Sequence, residues 1–226
     1  MGARVLPLGQ AELQLFCSIF YRGRAMELDT LQELYIDELK DLYSAENQIL
    51  KALPKMIRAT THRELKDAFT AHMKQTEHQV KRLERIFAAL DASPRGKKCH
   101  GMEGVLEEGA ELIRERPEPQ VLDAGLISAA QHVEHYEMAG YGTVRAWADK
   151  LGRAEDAQLL QETLDEEREA DEKLTELATR AINIEATRES VTSLDREVGV
   201  ATTRESTPAS RAKARSGRTP DLTVKR

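Results

Sequence analysis

Glu134 and Glu137 lie three residues apart in the segment QHVEHYEMAGYG, where the apolar pattern predicts a packed helix. Residues three apart project from one face of a helix, and the neighbouring apolar residues indicate that this face is buried. Burying ionised carboxylates costs many kcal/mol unless they are protonated, paired with cations or bound to metal. With this spacing, one glutamate could bridge two metal ions while the other binds a single ion.

Polar residues interrupt the apolar stripes of four predicted helices in the same way. Successive members of each stripe are three or four residues apart, which is the helical period. The stripes are Leu39, Leu42, Glu46, Ile49, Leu53; Leu65, Phe69, His72, Thr76, Val80, Leu83; Leu126, Ala130, Val133, Glu134, Glu137, Tyr141, Val144; and Leu160, Leu164, Glu167, Asp171, Leu174, Ala178. All four helices are therefore predicted to be polar on the face that they bury.

The polar residues also fall at one depth along the predicted helices. Glu46 and Thr76 each lie 15 residues from the turn at position 61. Glu137 and Glu167 lie 14 and 16 residues from the turn at position 151, and His72 is about one helical turn from the same level. No Lys or Arg lies on the stripes, so a pair of metal ions would balance the acids. Carboxylate and imidazole ligands suit iron or manganese.

A simpler interpretation is that the stripes are counted one residue out and that the acids face water, as most glutamates do. A hydrogen-bonded core histidine would equally explain His72 on its own. His78, His132 and His135 lie off the stripes. A solvated helix face explains these three histidines better than a surface metal site does.

The elements that must position these residues are helices, because no segment shows the period-two alternation of a strand. Four long helices are predicted: Asp29 to Ala59, Thr61 to the DASPRGKK turn, 120–150, and Arg153 to Ile184. Thr61 and Glu64 have the spacing of a capping box at the start of the second helix. A shorter helix, GMEGVLEEGAELIRER, lies in the long connection between the second and third helices. This plan predicts an all-α four-helix bundle with one long crossover, and a looser helical array is the alternative.

Composition narrows the class of protein further. The 226 residues, 40% hydrophobic and 32% charged, fit one ordinary domain with tails. A formal net charge of -6 argues against an obligate nucleic-acid binder. Cys17 and Cys99 stand in dissimilar contexts, which excludes a disulfide framework and favours a cytoplasmic location. The apolar run LQLFCSIFY is far shorter than a membrane span, so no membrane partner is expected.

The two ends of the chain differ in character from the segment between them. Residues 1–26 are predicted to be a loose extension before a bundle over residues 27–185. Residues 186–226 are rich in Ser, Thr, Pro, Gly and Arg, which predicts a disordered basic tail. The last 21 residues contain six Lys or Arg and a single acid, Asp221. Weak, salt-dependent contact with nucleic acid is conceivable for this tail, although a solvated tail without a partner is favoured.

Five segments of the sequence carry a family resemblance. They are ELKDLYSAENQILKALPKM, HMKQTEHQVKRLERIF, CHGMEGVLEEG, AAQHVEHYEMAGYGT and LLQETLDEEREADEKLTELA. These segments resemble the YciE/YciF family of ferritin-like bacterial stress proteins, over about residues 28–183. The resemblance implies a ferritin-like four-helix bundle, a homodimer, a di-iron centre and a role in stress responses.

This sequence departs from the usual pattern of ferritin-like di-iron proteins, which have Glu-x-x-His on two helices. No Glu-x-x-His occurs here, and position 77, where a relative can carry histidine, is Glu77. The centre is therefore expected to be rich in carboxylates, with at most one histidine. The predicted metal ligands are Glu46, His72, Glu77, Glu134, Glu137, Glu167 and Asp171.

Two functional hypotheses follow. In the first, the protein holds two iron ions, or manganese, and reacts Fe(II) with O2 or peroxide. Tyr43 or Tyr141 would then donate a hydrogen bond or an electron, or would simply pack. In the second hypothesis, the protein is a non-catalytic helical dimer that serves as a structural or interaction module. The sequence assigns no catalytic residue in either case.

Overall fold

A computed structural model describes residues 28–188, which contain five α-helices and no strand. The helices are α1, Leu31–Ala59; α2, Arg63–Ala89; α3, His100–Glu115; α4, Pro119–Lys150; and α5, Ala154–Leu177. Among the described residues, no helix has both the length and the apolar character that crossing a membrane requires. The predicted N-terminal extension, 1–26, and nearly all of the predicted basic tail lie outside the described residues.

The four long helices form two hairpins, α1–α2 and α4–α5. α1 packs on α2 and α4, and α5 packs on α4 and α2. The shorter α3 lies in the connection between the hairpins and packs on α1 and α4. This ferritin-like four-helix bundle, with an extra helix in its crossover, confirms the predicted fold class.

The buried interior consists of two apolar clusters with polar side chains between them. The first cluster includes Ile49, Leu53, Leu65, Phe69, Leu126, Val133 and Leu174. The second includes Leu39, Leu42, Leu83, Tyr141, Val144, Leu160 and Leu164. Along α1, for example, Glu46 lies between Leu42 of the second cluster and Ile49 of the first. We call the intervening buried residues the polar layer: Glu46, His72, Thr76, Gln79, Glu134, Glu137 and Glu167.

Local sequence chemistry explains several helix ends. At the start of α1, the Thr30 hydroxyl accepts a hydrogen bond from the Glu33 N–H at 3.2 Å. The Glu33 carboxylate accepts the Thr30 N–H at 2.9 Å, which completes a capping box. Pro119 occupies the first position of α4, where a missing N–H removes no helical hydrogen bond. Gly152 has a φ of +71°, a conformation that glycine adopts readily, in the turn into α5.

The predicted capping box at the start of α2 is wrong. α2 begins at Arg63, and its N-cap residue, His62, makes no side-chain capping bond. Instead, Asp123 of α4 accepts hydrogen bonds from the Thr61 N–H at 2.9 Å, the Thr61 hydroxyl at 2.6 Å and the His62 N–H at 2.8 Å. The buried carboxylate of Asp123 therefore takes the place of a local side-chain cap. Its negative charge makes these hydrogen bonds stronger than those to a neutral side chain.

The predicted stripe of α2 is wrong at one position, Val80, whereas Leu83 is buried as predicted. Gln79 is fully buried, whereas Val80 is only half-buried. Seven residues separate His72 from Gln79, which is close to two helical turns of 3.6 residues. An eighth residue overshoots the buried face, so Val80 lies beside the polar layer rather than in it.

The last helix differs from its predicted course near its end. α5 ends at Leu177, a π-helical turn follows over Ala178–Ile182, and helical backbone continues to residue 188. The predicted helix ended at Ile184. A π-helical turn accommodates an extra residue, and here both Ala178 and Ile182 remain buried.

Candidate metal centre

Four side chains of the polar layer come close enough together to hold a metal ion. They are His72 from α2, Glu134 and Glu137 from α4, and Glu167 from α5. Each contributes one ligand atom, and these atoms lie within 4.8 Å of one another. The two glutamates of α4 share a face because they are three residues apart. The sequence-predicted residues of three helices therefore meet at one point inside the bundle.

Glu46 of α1 extends this group to the fourth long helix. Its side chain is fully buried and accepts a hydrogen bond from the hydroxyl of Tyr141. The carboxyl group of Glu46 lies near that of Glu137, and that of Glu134 near that of Glu167, so that in each pair one group shifts the pKa of the other. Two facing pairs of carboxyl groups are thus held by three helices, α1, α4 and α5.

Burial raises the pKa of every carboxyl group in the layer. The pKa values of Glu46, Glu134 and Glu137 lie well above the usual 4.5, first because of burial and then because neighbouring carboxylates repel further negative charge. Burial raises the pKa of Glu167 to about 7, while hydrogen bonds from Glu134 and Gln79 limit the rise. Without a cation, these acids therefore retain protons at pH values where exposed glutamates are ionised.

His72 is a neutral imidazole at neutral pH. Its side chain is buried, and burial lowers its pKa from 6.5 to about 4. Its Nε2 lies 3.6 Å from Glu134 Oε1, but this contact is not an ion pair because the ring is uncharged. Neutral imidazole is the form that binds metal, since the ligand nitrogen must be free of a proton.

Many polar atoms of the layer have no hydrogen-bond partner within residues 28–188. They are Glu46 Oε2, His72 Nε2, Gln79 Oε1, Glu134 Oε2, both carboxylate oxygens of Glu137, and Glu167 Oε2. Buried polar atoms normally have partners, so a group of unpartnered ligand atoms calls for an explanation. Oxygen and imidazole nitrogen atoms of this kind fit a metal such as iron or manganese.

Two of the predicted ligands do not join this group. Asp171 is half-buried, accepts a hydrogen bond from Gln131 at 2.9 Å and lies 3.4 Å from Nε2 of the exposed His135. Asp171 therefore lies at the margin of the polar layer. Its charge raises the pKa of Glu134, but its carboxylate is not part of the cluster of ligand atoms. Glu77 is exposed, whereas His72 of the same helix is buried. The structure thus places Asp171 and Glu77 outside the cluster formed by the other predicted ligands.

Gln79 is a polar-layer residue that the sequence reasoning missed. Its amide N–H groups donate to Glu167 and, at 3.1 Å, to Glu166. Glu166 in turn pairs with Arg82 at 2.6 Å, so the positive charge of Arg82 is held next to the layer rather than inside it. The available signal was the seven-residue spacing from His72, which matches two helical turns.

The two tyrosines singled out in the sequence occupy different environments. Tyr141 is fully buried, and its hydroxyl contacts Glu46 of the layer. Tyr43 donates to Glu84 at 3.1 Å and packs edge-on against Phe87. Of the two, only Tyr141 contacts the polar layer directly.

Comparison with known proteins identifies the family. The sequence model of a family described as "Domain of unknown function (DUF892)" matches residues 30–187. Protein YciF of Escherichia coli strain K12 is 43% identical over 162 residues, which are 71% of this chain and 98% of YciF. The crystal structure of the E. coli stress protein YciF is similar with a TM-score of 0.67, covering 69% of this chain and 99% of that one.

Two further solved structures share the fold. YcfI from Rhodopseudomonas palustris, to which a structural role has been ascribed, has 40% identity and a TM-score of 0.65 over 69% of this chain and 98% of its own. A protein of Xanthomonas campestris has 22% identity and a TM-score of 0.56 over 71% of this chain and 98% of its own, a likeness of fold alone. The resemblance inferred from five sequence segments is therefore confirmed, and the chain belongs to the DUF892 family and to the family of the E. coli protein YciF.

Proposed function

We propose that this protein binds two metal ions, in the first place iron, in its polar layer and reacts Fe(II) with dioxygen or peroxide during stress. The observation that carries the proposal is the convergence of buried, unpartnered ligand atoms from four helices. Carboxylate oxygens and one imidazole nitrogen are suitable ligands for iron, with manganese as the alternative metal. The similarity to the E. coli stress protein YciF supports the stress role.

The proposed ligand set consists of five buried residues, Glu46, His72, Glu134, Glu137 and Glu167. When bound, ferrous ions would supply the electrons that reduce the oxidant. The glutamates must release the protons that they retain in the metal-free protein, so metal binding is coupled to proton release. The side chains of these ligands are separated from solvent, because an apolar cluster packs on each side of the polar layer.

Two further residues position the proposed ligands. The hydroxyl of Tyr141 orients Glu46, and the amide of Gln79 orients Glu167. Hydrogen-bonding groups of this kind fix the rotamers of metal ligands and adjust their basicity. Both residues are fully buried, so neither hydrogen bond competes with bulk water.

Anaerobic addition of Fe(II) to the full chain, followed by exposure to oxygen, tests the proposal. We expect stoichiometric iron binding and an oxygen-dependent change in absorbance. Glu134→Ala should lose iron, whereas Glu77→Ala, which removes an exposed glutamate of α2, should bind it normally. Absence of both bound iron and the absorbance change in the unmodified protein would contradict the proposal.

A second candidate function is a non-catalytic structural or interaction module. Two observations favour it: the raised pKa values allow protonated acids to stay buried without metal, and a structural role has been ascribed to YcfI. This candidate predicts that added metal does not change the melting temperature. A large metal-dependent increase that Glu134→Ala abolishes would exclude it, because a ligand stabilises the folded state that binds it.

A further inference from the structure

A groove of about 250 Å³ opens at the surface between α1, α3 and α4. Its lining includes exposed charged residues, Lys51, Lys55, Glu103 and Glu107. The apolar part of the lining is buried or half-buried and includes Ala52, Met56, Leu106, Ile113 and Val133. The groove thus leads from a charged surface to an apolar interior.

A smaller chamber of about 10 Å³ lies between this groove and the polar layer. Eight of its ten lining residues are apolar, and the other two are His72 and Glu134. Four residues line both the groove and the chamber: Ala52, Met56, Leu106 and Val133. One shared set of apolar side chains therefore borders both the groove and the chamber, and the chamber reaches two of the proposed metal ligands.

The size and lining of the chamber restrict what could pass through it. Its volume is close to that of one water-sized molecule, about 10–15 Å³ by the same measure. A buried water needs about two to four polar partners, and His72 and Glu134 supply that minimum only where the chamber borders the polar layer, while the apolar walls toward the groove supply none. A hydrated cation would lose its water shell against apolar walls, which is strongly unfavourable. A small, uncharged molecule that makes no hydrogen bonds meets neither obstacle.

We propose that the groove and the chamber form an apolar passage by which dioxygen reaches the edge of the polar layer at His72 and Glu134. The use of the passage in a reaction rests on the proposed function, but dioxygen access itself does not. Hydrogen peroxide is a strong hydrogen-bond donor and acceptor, so it is not expected to use this route. Leu106 belongs to α3, which gives the extra helix of the crossover a role as the outer wall of the passage.

The first test uses the metal-free full chain and dissolved dioxygen as the probe. Dioxygen is paramagnetic, so under pressure it enhances the NMR relaxation of methyl groups near the sites that it occupies. We expect larger enhancements at Ile49 and Ala130, which line the chamber, than at Leu83 and Val144, which are also buried but belong to the second apolar cluster. Equal enhancements in the two groups would overturn the passage.

Blocking variants provide the second measurement in the same NMR experiment. Leu106→Trp should reduce the enhancement at Ile49 and Ala130, because the indole would fill the space between groove and chamber. Ile113→Trp is the matched control, since Ile113 is a half-buried residue of α3 that lines the groove but not the chamber. Ala52→Leu, on the opposite wall, replaces Leu106→Trp if that variant fails to fold.

The third test uses the iron-loaded chain and compares two oxidants. Leu106→Trp should slow the oxygen-dependent absorbance change about tenfold and leave the peroxide-dependent change and the iron content unaltered. Ile113→Trp should leave both rates unchanged. An unchanged oxygen rate in Leu106→Trp would overturn the passage even if iron binds. If no iron binds at all, the proposed function fails, and the NMR comparison still decides whether dioxygen occupies the chamber.

Discussion

The side-chain amide of Gln79, in the α1–α2 hairpin, donates a hydrogen bond to the carboxylate of Glu167, in the α4–α5 hairpin. Gln79→Leu keeps the volume but removes the amide donor, so we expect metal affinity to fall about 10- to 100-fold, as for other residues that orient ligands. Competition with a coloured chelator measures the affinity. Val80→Ala, a change at the half-buried neighbour, is the control and should leave affinity unchanged. Equal affinities for Gln79→Leu and the unmodified chain would show that Glu167 needs no such support.

The acids of the polar layer should make the metal-free protein less stable as pH rises. Folding raises the pKa of Glu167 from 4.5 to about 7 and raises those of Glu46, Glu134 and Glu137 well above 4.5. An acid with a raised pKa supports the folded state fully below pH 4.5 and loses that contribution as pH rises through its folded pKa. His72 acts in the opposite sense, because folding lowers its pKa from 6.5 to about 4 and the unfolded chain gains the proton as pH falls. From pH 6.5 upwards the imidazole of His72 is at most half protonated in the unfolded chain, so the glutamates dominate the change in stability.

Thermal unfolding of chelator-treated protein tests this pH dependence. The melting temperature at about pH 8 should be lower than at about pH 6.5, and Glu167→Gln should show a smaller difference because it removes one titrating group. Glu77→Gln, at an exposed position, is the control and should behave as the unmodified chain does. A melting temperature that rises between these two pH values would contradict the prediction.

Counting residues along each stripe predicted most of the polar layer. Glu46, His72, Glu134, Glu137 and Glu167 are all buried at the depth that the spacing indicated. The same counting chose Val80, four residues after Thr76, over Gln79, three residues after it, because both steps fit a period of 3.6 when each step is taken singly. It also could not exclude Asp171, which occupies the right face but stays half-buried beside Gln131.

At the scale of elements, the start of α2 depends on a residue of another helix. Asp123→Ala would leave two backbone N–H groups and the Thr61 hydroxyl without their buried acceptor. We expect a loss of about 2 kcal/mol in the free energy of unfolding, measured by urea denaturation. Glu64→Ala removes the acid that the sequence pattern had assigned to the cap. It should cost much less, because among the described residues the partner of Glu64 is Arg180, in an ion pair exposed to solvent.

Helix positions were predictable from sequence to within a few residues, whereas their caps and irregular turns were not. Apolar periodicity marks where a helix runs, and Pro119 and Gly152 mark its limits. Asp123 acts on Thr61 from 62 residues away, so no local pattern could reveal it. The π-helical turn over Ala178–Ile182 was equally hidden, since it needs no residue type that an α-helix lacks.

At the scale of the whole molecule, the homodimer implied by the family resemblance stays a prediction. Four large apolar side chains among the described residues are exposed: Leu28, Leu31, Val121 and Ile184. Contact with a second chain would remove such surface from water. Light scattering after size-exclusion chromatography should give twice the chain mass of 25.4 kDa. A mass of one chain at micromolar concentrations would contradict the dimer.

Contact of the basic tail with nucleic acid is also still a prediction, since the tail lies outside the described residues. Deletion of residues 206–226 should remove any binding to DNA that weakens steeply with salt, because those residues carry six Lys or Arg. A filter-binding assay at several salt concentrations measures this dependence. Identical binding by the full and shortened chains would remove the tail from consideration.

The division of ligands between the two hairpins has a consequence for the life of a newly made chain. The α1–α2 hairpin carries only Glu46 and His72, and the remaining three ligand residues belong to α4 and α5. A nascent polypeptide that has emerged from the ribosome as far as α3 therefore lacks most of the proposed site. Acquisition of the proposed metal ions would then be a late step of biosynthesis, which would keep redox-active ions away from chains that are still unfolded.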